Sequence, residues 1–122
     1  MKLKVITGII LILLLASMFT LVSNIQPVES SETIYIRANG AIDPPTANIT
    51  SVDNVTYTFT GLVNDSIVVE RGDIVVDGVV YTVQGNGSGT GINVTGVSNV
   101  TVKNCVIMNF RVGIHLDVGA NN

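Results

Sequence analysis

After residue 30, apolar and polar side chains alternate with a two-residue period in several short stretches, the pattern of strands with one buried face. Two of these stretches recur. Gly91-Ile92-Asn93-Val94 returns 22 positions later as Gly113-Ile114-His115-Leu116, and Asp73-Ile74-Val75-Val76-Asp77-Gly78 returns 26 positions later as Asn99-Val100-Thr101-Val102-Lys103-Asn104. Ser66-Ile67-Val68-Val69 lies 25 positions before the Gly91 phrase and makes a third copy of it. Self-similarity at a period of about 20–50 residues marks a solenoid. Val, Ile, Thr, Gly and Asn dominate the repeats, which favours strands and tight turns. The fold expected is therefore all-β, a parallel β-helix. Its inward ladders are Ile67, Ile92 and Ile114, with Val69, Val94 and Leu116 beside them; a second strand per coil stacks Ile74 on Val100 and Val76 on Val102. Like residues then bury one another along the axis.

Residues 31–60 read as capping strands ahead of the repeats. Thr33 to Arg37 alternates as a short strand, Asn39-Gly40 and Asp43-Pro44-Pro45 are turn signals, and Val52 to Thr60 reads as a strand with Val55, Tyr57 and Phe59 on one face. Residues 61–122 read as the coils, the last incomplete. The two repeat steps differ by four residues, and the surplus falls between Gly78 and Gly91, where Gly85-Asn86-Gly87-Ser88-Gly89 can bulge as a loop. Nothing after Leu116 covers the Ile114 and Leu116 layer. The expectation is a short β-helix, the N-terminal piece of a longer protein, prone to self-association at that end.

Residues 1–30 change the picture of location. Lys2 and Lys4 precede an apolar run from Val5 to Val22, and Val28-Glu29-Ser30 offers a cleavage site before Ser31. This is the pattern of a secretory signal peptide; the alternative is an uncleaved N-terminal membrane anchor, since 18 residues just span a bilayer of about 30 Å. Either reading exports the rest, to the cell surface, the periplasm or the medium. From residue 31 on, Arg37, Arg71, Lys103 and Arg111 face eight carboxylates, a net charge of −4. That balance excludes nucleic acid as a partner, and leaves membrane contact only to an uncleaved N-terminal segment. Cys105 is the only cysteine, so no internal disulfide forms.

The block Thr33-Ile34-Tyr35-Ile36-Arg37-Ala38-Asn39-Gly40, then Ile42-Asp43-Pro44-Pro45, then Ile74-Val75-Val76-Asp77-Gly78 and Gly91-Ile92, resembles the N-terminal part of large secreted prokaryotic proteins with right-handed parallel β-helix repeats. These are the NosD-like or pectin-lyase-like proteins, and many with this opening are archaeal. The resemblance spans roughly Thr33 to Asp117 and implies a right-handed helix, a surface or periplasmic location, and a role in binding or processing carbohydrate. The copper delivery of the NosD branch needs ligands this chain does not supply: His115 is its one histidine, and Met108 is the one methionine after residue 30.

Polysaccharide lyases of the resembling fold set carboxylates and a base on the outer face of one sheet, the carboxylates binding calcium. Here the outward positions are Val68, Asn93 and His115, followed by Glu70, Thr95 and Asp117. Glu70 and Asp117 fall two coils apart, about 10 Å, too far to share a calcium ion. Asn93, His115 and Asp117 are the weak candidates on that face, His115 and Asp117 as an acid–base pair. No cofactor is expected, and calcium only in further coils. Asp77 and Lys103 are expected as a surface ion pair between neighbouring coils. Asn48, Asn54, Asn64, Asn86, Asn93 and Asn99 each begin an Asn-x-Ser/Thr triplet and are candidate glycan acceptors, Asn86 foremost because it sits in the loop. Two functions compete. The first is an exported scaffold or carbohydrate-binding module without catalysis of its own; the second is the N-terminal part of a polysaccharide lyase or glycoside hydrolase whose active groups lie in later coils.

Overall fold

The computed structural model describes residues 32–117. The expected export segment and the Gly119–Asn122 tail lie outside the described residues. The chain enters as β1 (Ile34–Ile36), continues through two short strands, β2 (Ile42–Asp43) and β3 (Ile49–Thr50), and reaches β4 (Thr56–Phe59). Three strands follow in close succession, β5 (Ile67–Val69), β6 (Ile74–Asp77) and β7 (Thr82–Gln84). Three more repeat the succession, β8 (Thr90–Val94), β9 (Val100–Lys103) and β10 (Val106–Met108), and β11 (Val112–Leu116) begins it again. No helix long and apolar enough to cross a membrane occurs among the described residues.

These strands build three sheets that the chain visits in rotation. The first runs β11-β8-β5-β1-β2, the second β3-β4-β6-β9, and the third pairs β10 with β7. An isolated parallel bridge from Val63 to Val83 adds a position from the preceding pass to the third sheet. All pairings between passes are parallel, and the register is the one the repeated phrases demand. Ile67 faces Ile92, Ile92 faces Ile114, Val94 faces Leu116, Ile74 faces Val100 and Val76 faces Val102. The described residues are thus all-β, with parallel sheets whose antiparallel members lie at one edge.

The core follows from that register. Ile34, Ile67 and Ile92 stack fully or almost fully buried, as do Ile36, Val69 and Val94 beside them. The expected inward layer is less closed at β11: Ile114 is 46 % and Leu116 54 % exposed, because β11 has a strand on one side only. Among the described residues Tyr57 is the one buried core side chain with a polar group, and its hydroxyl donates to the Gly40 carbonyl at 2.7 Å, so the buried oxygen is satisfied.

Three expectations need correction. The strand expected over Val52 to Thr60 is only β4. Val52 is fully exposed and Val55 half exposed, because Asp53 ends a turn: its Oδ1 accepts the N–H groups of Val55 and Thr56 at 2.9 and 2.8 Å, while Asn54 takes a left-handed φ of 55°. The passes β5–β7 and β8–β10 each carry a third strand beside the two expected. Finally, β1 and β4 pair in parallel with β5 and β6, so the stretch expected as capping strands also supplies two strands of the first pass, with β2 and β3 lying antiparallel on β1 and β4. Short antiparallel edges of this kind occupy backbone groups that would otherwise invite further strands.

The corners between sheets explain the Asn and Asp of the repeats. Asn54, Asp73 and Asn99 take φ of 55°, 58° and 59° at equivalent places before β4, β6 and β9. Asn and Asp tolerate this left-handed region better than other non-glycine residues. They also bond along the stack, Asn99 Nδ2 donating to Asp73 Oδ1 at 2.8 Å.

Candidate functional site

The corner that leads from the third sheet to the first holds a groove of about 250 Å³. Three passes of the chain contribute to it. Asn64, Asp65 and Ser66 come from the turn before β5, Gln84, Asn86 and Ser88 from the end of β7 and the loop after it, and Phe110 from the turn before β11. Gly85 makes the arrangement possible. A Cβ on it would stand 2.3 Å from the Asn109 carbonyl oxygen and 2.6 Å from the Phe110 ring, so only glycine lets the ring lie against this strand end. The loop then closes on itself: Asn86 Oδ1 accepts from the Ser88 N–H at 3.2 Å and the Ser88 hydroxyl at 2.8 Å, and the Gly87 N–H donates to Asn109 at 2.6 Å. Gln84 Nε2 donates to the Gly85 carbonyl at 3.1 Å, which leaves its Oε1 as an acceptor at the groove. The loop expected to bulge thus forms one wall of a site.

The outer face of the first sheet carries the residues singled out from sequence. Tyr35, Val68, Asn93 and His115 form one row across four strands. His115 Nδ1 lies 3.2 Å from Asn93 Oδ1, a hydrogen bond in the tautomer with its proton on Nδ1, and the Thr95 hydroxyl donates to the same oxygen at 2.9 Å. The structure therefore brings Asn93 and His115 together, and Asp117 follows at the strand end with its N–H bonded to the Val94 carbonyl. Glu70 is engaged elsewhere: Arg37 bridges it at 3.2 Å and Asp43 at 2.6 Å, and stacks over Tyr35 at 4.0 Å. That cluster ties β1, β5 and the capping strand β2 together at the edge of the sheet.

Asp77 and Lys103 pair as expected, at 3.7 Å across neighbouring passes. The Val79 N–H and the Asn104 amide, more than Lys103, hold the Asp77 carboxyl below its ordinary value. The Thr56 and Val55 N–H groups do the same for Asp53. Both carboxylates stabilise the fold only while ionised, so their contribution is present above the ordinary carboxylate range and fades as pH falls through their lowered values. The expected result is a thermal midpoint that falls as pH is lowered past the ordinary Asp value near 3.9. The Asp53→Asn, Asp77→Asn double variant flattens that drop; a profile identical to the parent contradicts the assignment.

Cys105 is half buried against the core, its Sγ 3.3 Å from the Lys103 carbonyl, and burial pushes its thiol up. It is a packing residue. Among the described residues no group of three or more His, Cys, Asp and Glu converges as a metal site. Of the six candidate glycan acceptors, Asn86 is exposed in the groove loop and Asn64 lines the same groove. Asn48 and Asn99 spend Nδ2 on Leu62 and Asp73, Asn54 sits in its left-handed turn, and Asn93 holds Thr95 and His115. Asp65, Ser66, Gln84, Ser88 and Phe110 were not singled out from sequence. The one signal for them was the Gly-rich loop, whose neighbours in adjacent passes are found only once the third sheet is known. No family model matches the chain, and the curated proteins and solved structures compared with it contain no match.

Proposed function

We propose that the three sheets are the faces of a right-handed parallel β-helix, exported to the cell surface or periplasm, and that its groove binds carbohydrate without catalysis by this chain. The helix reading is supported by the rotation of the chain through three sheets and by parallel pairing of strands 22 to 26 residues apart in the repeats. The binding reading is carried by one observation: residues with amide, hydroxyl and carboxylate groups from consecutive passes line one groove together with an aromatic residue, Phe110. A sugar presents the complement, hydroxyl groups around a ring whose faces are apolar. Planar amides both donate to and accept from such hydroxyls, and an aromatic ring covers the apolar face. Protein ligand sites combine these elements, apolar lining with a few placed polar groups.

Calorimetric titration of the full chain with a panel of neutral and acidic glycans tests the reading. Saturable binding is expected, weakened about tenfold by Gln84→Ala with Asn86→Ala, the loss of two modest hydrogen bonds. No binding, or binding indifferent to that pair, rejects the groove. Glycan turnover by the chain favours the lyase or hydrolase reading instead.

A further inference from the structure

Asparagine followed by glycine is the pairing at which a protein chain most readily modifies itself, because no Cβ shields the glycine nitrogen from the neighbouring side chain. The sequence holds two such pairs, Asn39-Gly40 and Asn86-Gly87. The fold treats them in opposite ways.

Gly40 is buried in the turn between β1 and β2. Its N–H donates to the Arg37 carbonyl at 2.9 Å, and its own carbonyl accepts the Tyr57 hydroxyl at 2.7 Å. The Arg37 N–H closes the turn by donating to the Ala41 carbonyl at 2.8 Å. The Asn54 side chain lies over the glycine, its Cγ 2.9 Å from where a Cβ would stand. A five-membered ring fusing Asn39 to Gly40 would have to displace Asn54 and break this turn.

Gly87 is exposed, and a Cβ on it would meet nothing within 4 Å. Asn86 Oδ1 accepts both the Ser88 N–H and the Ser88 hydroxyl, which folds the amide back across the Gly87 peptide. The same two donors sit where negative charge develops on Oδ1 when the amide carbon is attacked. The Gly87 nitrogen is restrained by its bond to the Asn109 carbonyl at 2.6 Å. Residues 86 to 89 are all exposed, so that bond belongs to the class that opens locally without global unfolding.

We infer that Asn86-Gly87 is a self-modifying site at which the folded chain deamidates, with Ser88 as its positioning residue, while Asn39-Gly40 is protected by its turn. The Gly87 nitrogen attacks Asn86 Cγ and forms a C–N bond. The Cγ–Nδ2 bond breaks, and ammonia leaves carrying the proton that Gly87 gives up. Water then opens the cyclic imide at either carbonyl, to aspartate or to isoaspartate. Either product puts a carboxylate into the groove that Asp65 also lines. Isoaspartate in addition lengthens the backbone by one methylene at the bond to Gly87. None of this depends on the carbohydrate reading.

The test is incubation of the full chain at mildly alkaline pH, followed by peptide mapping that separates asparagine, aspartate and isoaspartate by mass and retention. A parallel sample is unfolded in guanidinium. In the folded chain, conversion at Asn86 is expected to outpace that at Asn39 by about tenfold or more, because Asn39 must wait for its turn to open. In guanidinium the two sites are expected to convert at similar rates. Ser88→Ala slows conversion of folded Asn86 by about fivefold, the loss of one modest hydrogen bond, and leaves the rate in guanidinium unchanged; Ser88→Thr restores the folded rate. Circular dichroism melts on both variants confirm that the fold persists. Equal conversion of the two sites in the folded chain, or an Asn86 that stays intact until the chain unfolds, overturns the inference. A folded Ser88→Ala rate at or above that of the parent overturns the part given to Ser88.

Discussion

Replacing Ile92 by Ala lowers the unfolding free energy by about 2–5 kcal/mol, the range for emptying a fully packed aliphatic site. Ile92 is fully buried, and its neighbours in the ladder are Ile67 on one side and Ile114 on the other. Both would face the vacated space, and the parallel strands fix their separation, so little collapse can refill it. Ile114→Ala is the internal comparison. Ile114 occupies the same place in the repeated phrase but is 46 % exposed, so its truncation costs only about 1 kcal/mol. Urea titration of the two variants reads the difference directly. Equal losses would mean that Ile114 is as enclosed as Ile92 and would contradict the described packing of β11.

Gly85→Ala has the second large effect, about 3 kcal/mol or more, at the upper end of what overpacking costs. The added methyl stands within 2.3 Å of the Asn109 carbonyl oxygen and 2.6 Å of the Phe110 ring. Neither can withdraw freely: that carbonyl accepts the Gly87 N–H at 2.6 Å, and the same ring lies against Gly91, where a Cβ would approach it to 3.1 Å. Two passes of the chain must therefore move apart. Gly87→Ala, two residues on, meets nothing within 4 Å and costs only its left-handed backbone at φ 95°, about 1–2 kcal/mol. The same denaturant titration ranks the two. A Gly87→Ala loss larger than that of Gly85→Ala would show that loop conformation, not the approach of neighbouring passes, governs this corner.

The contrast between those glycines reflects what could be read from the chain and what could not. The ladders of the first two sheets were legible because their strands run three to five residues, alternate in burial and recur as whole phrases. Asp77 and Lys103 could be paired on the same ground, by matching positions one repeat apart. The third sheet left no such mark. Its inward positions are the single residues Val63, Val83 and Ile107, one in each pass, and one apolar residue carries no period. The first pass was hidden differently. Ile34 pairs with Ile67 at a distance of 33 residues because β2 and β3 are inserted into it, which breaks the step of the later repeats.

The groove shares the invisibility of the third sheet. Its residues come from turns in three passes, and Asn, Asp, Ser and Gly in turns are ordinary turn chemistry until the stacking of those turns is known. Asn93 and His115 were legible because they sit on a recurring phrase, and the structure places them within hydrogen-bonding distance. The Arg37 cluster drew no attention, because Asp43 and Glu70 meet Arg37 through the capping strand and the first parallel pairing, and neither contact has a counterpart in the repeats.

Carbohydrate binding in the groove is the claim on which the functional account stands. Amide chemical-shift mapping of the isotopically labelled full chain, titrated with a neutral oligosaccharide, tests it most directly. The account predicts perturbations gathered on Asp65, Ser66, Gln84, Asn86 and Ser88, with the side-chain amides of Gln84 and Asn86 among the largest. Perturbations gathered instead on Asn93, Thr95 and His115, or none at saturating ligand, would contradict it.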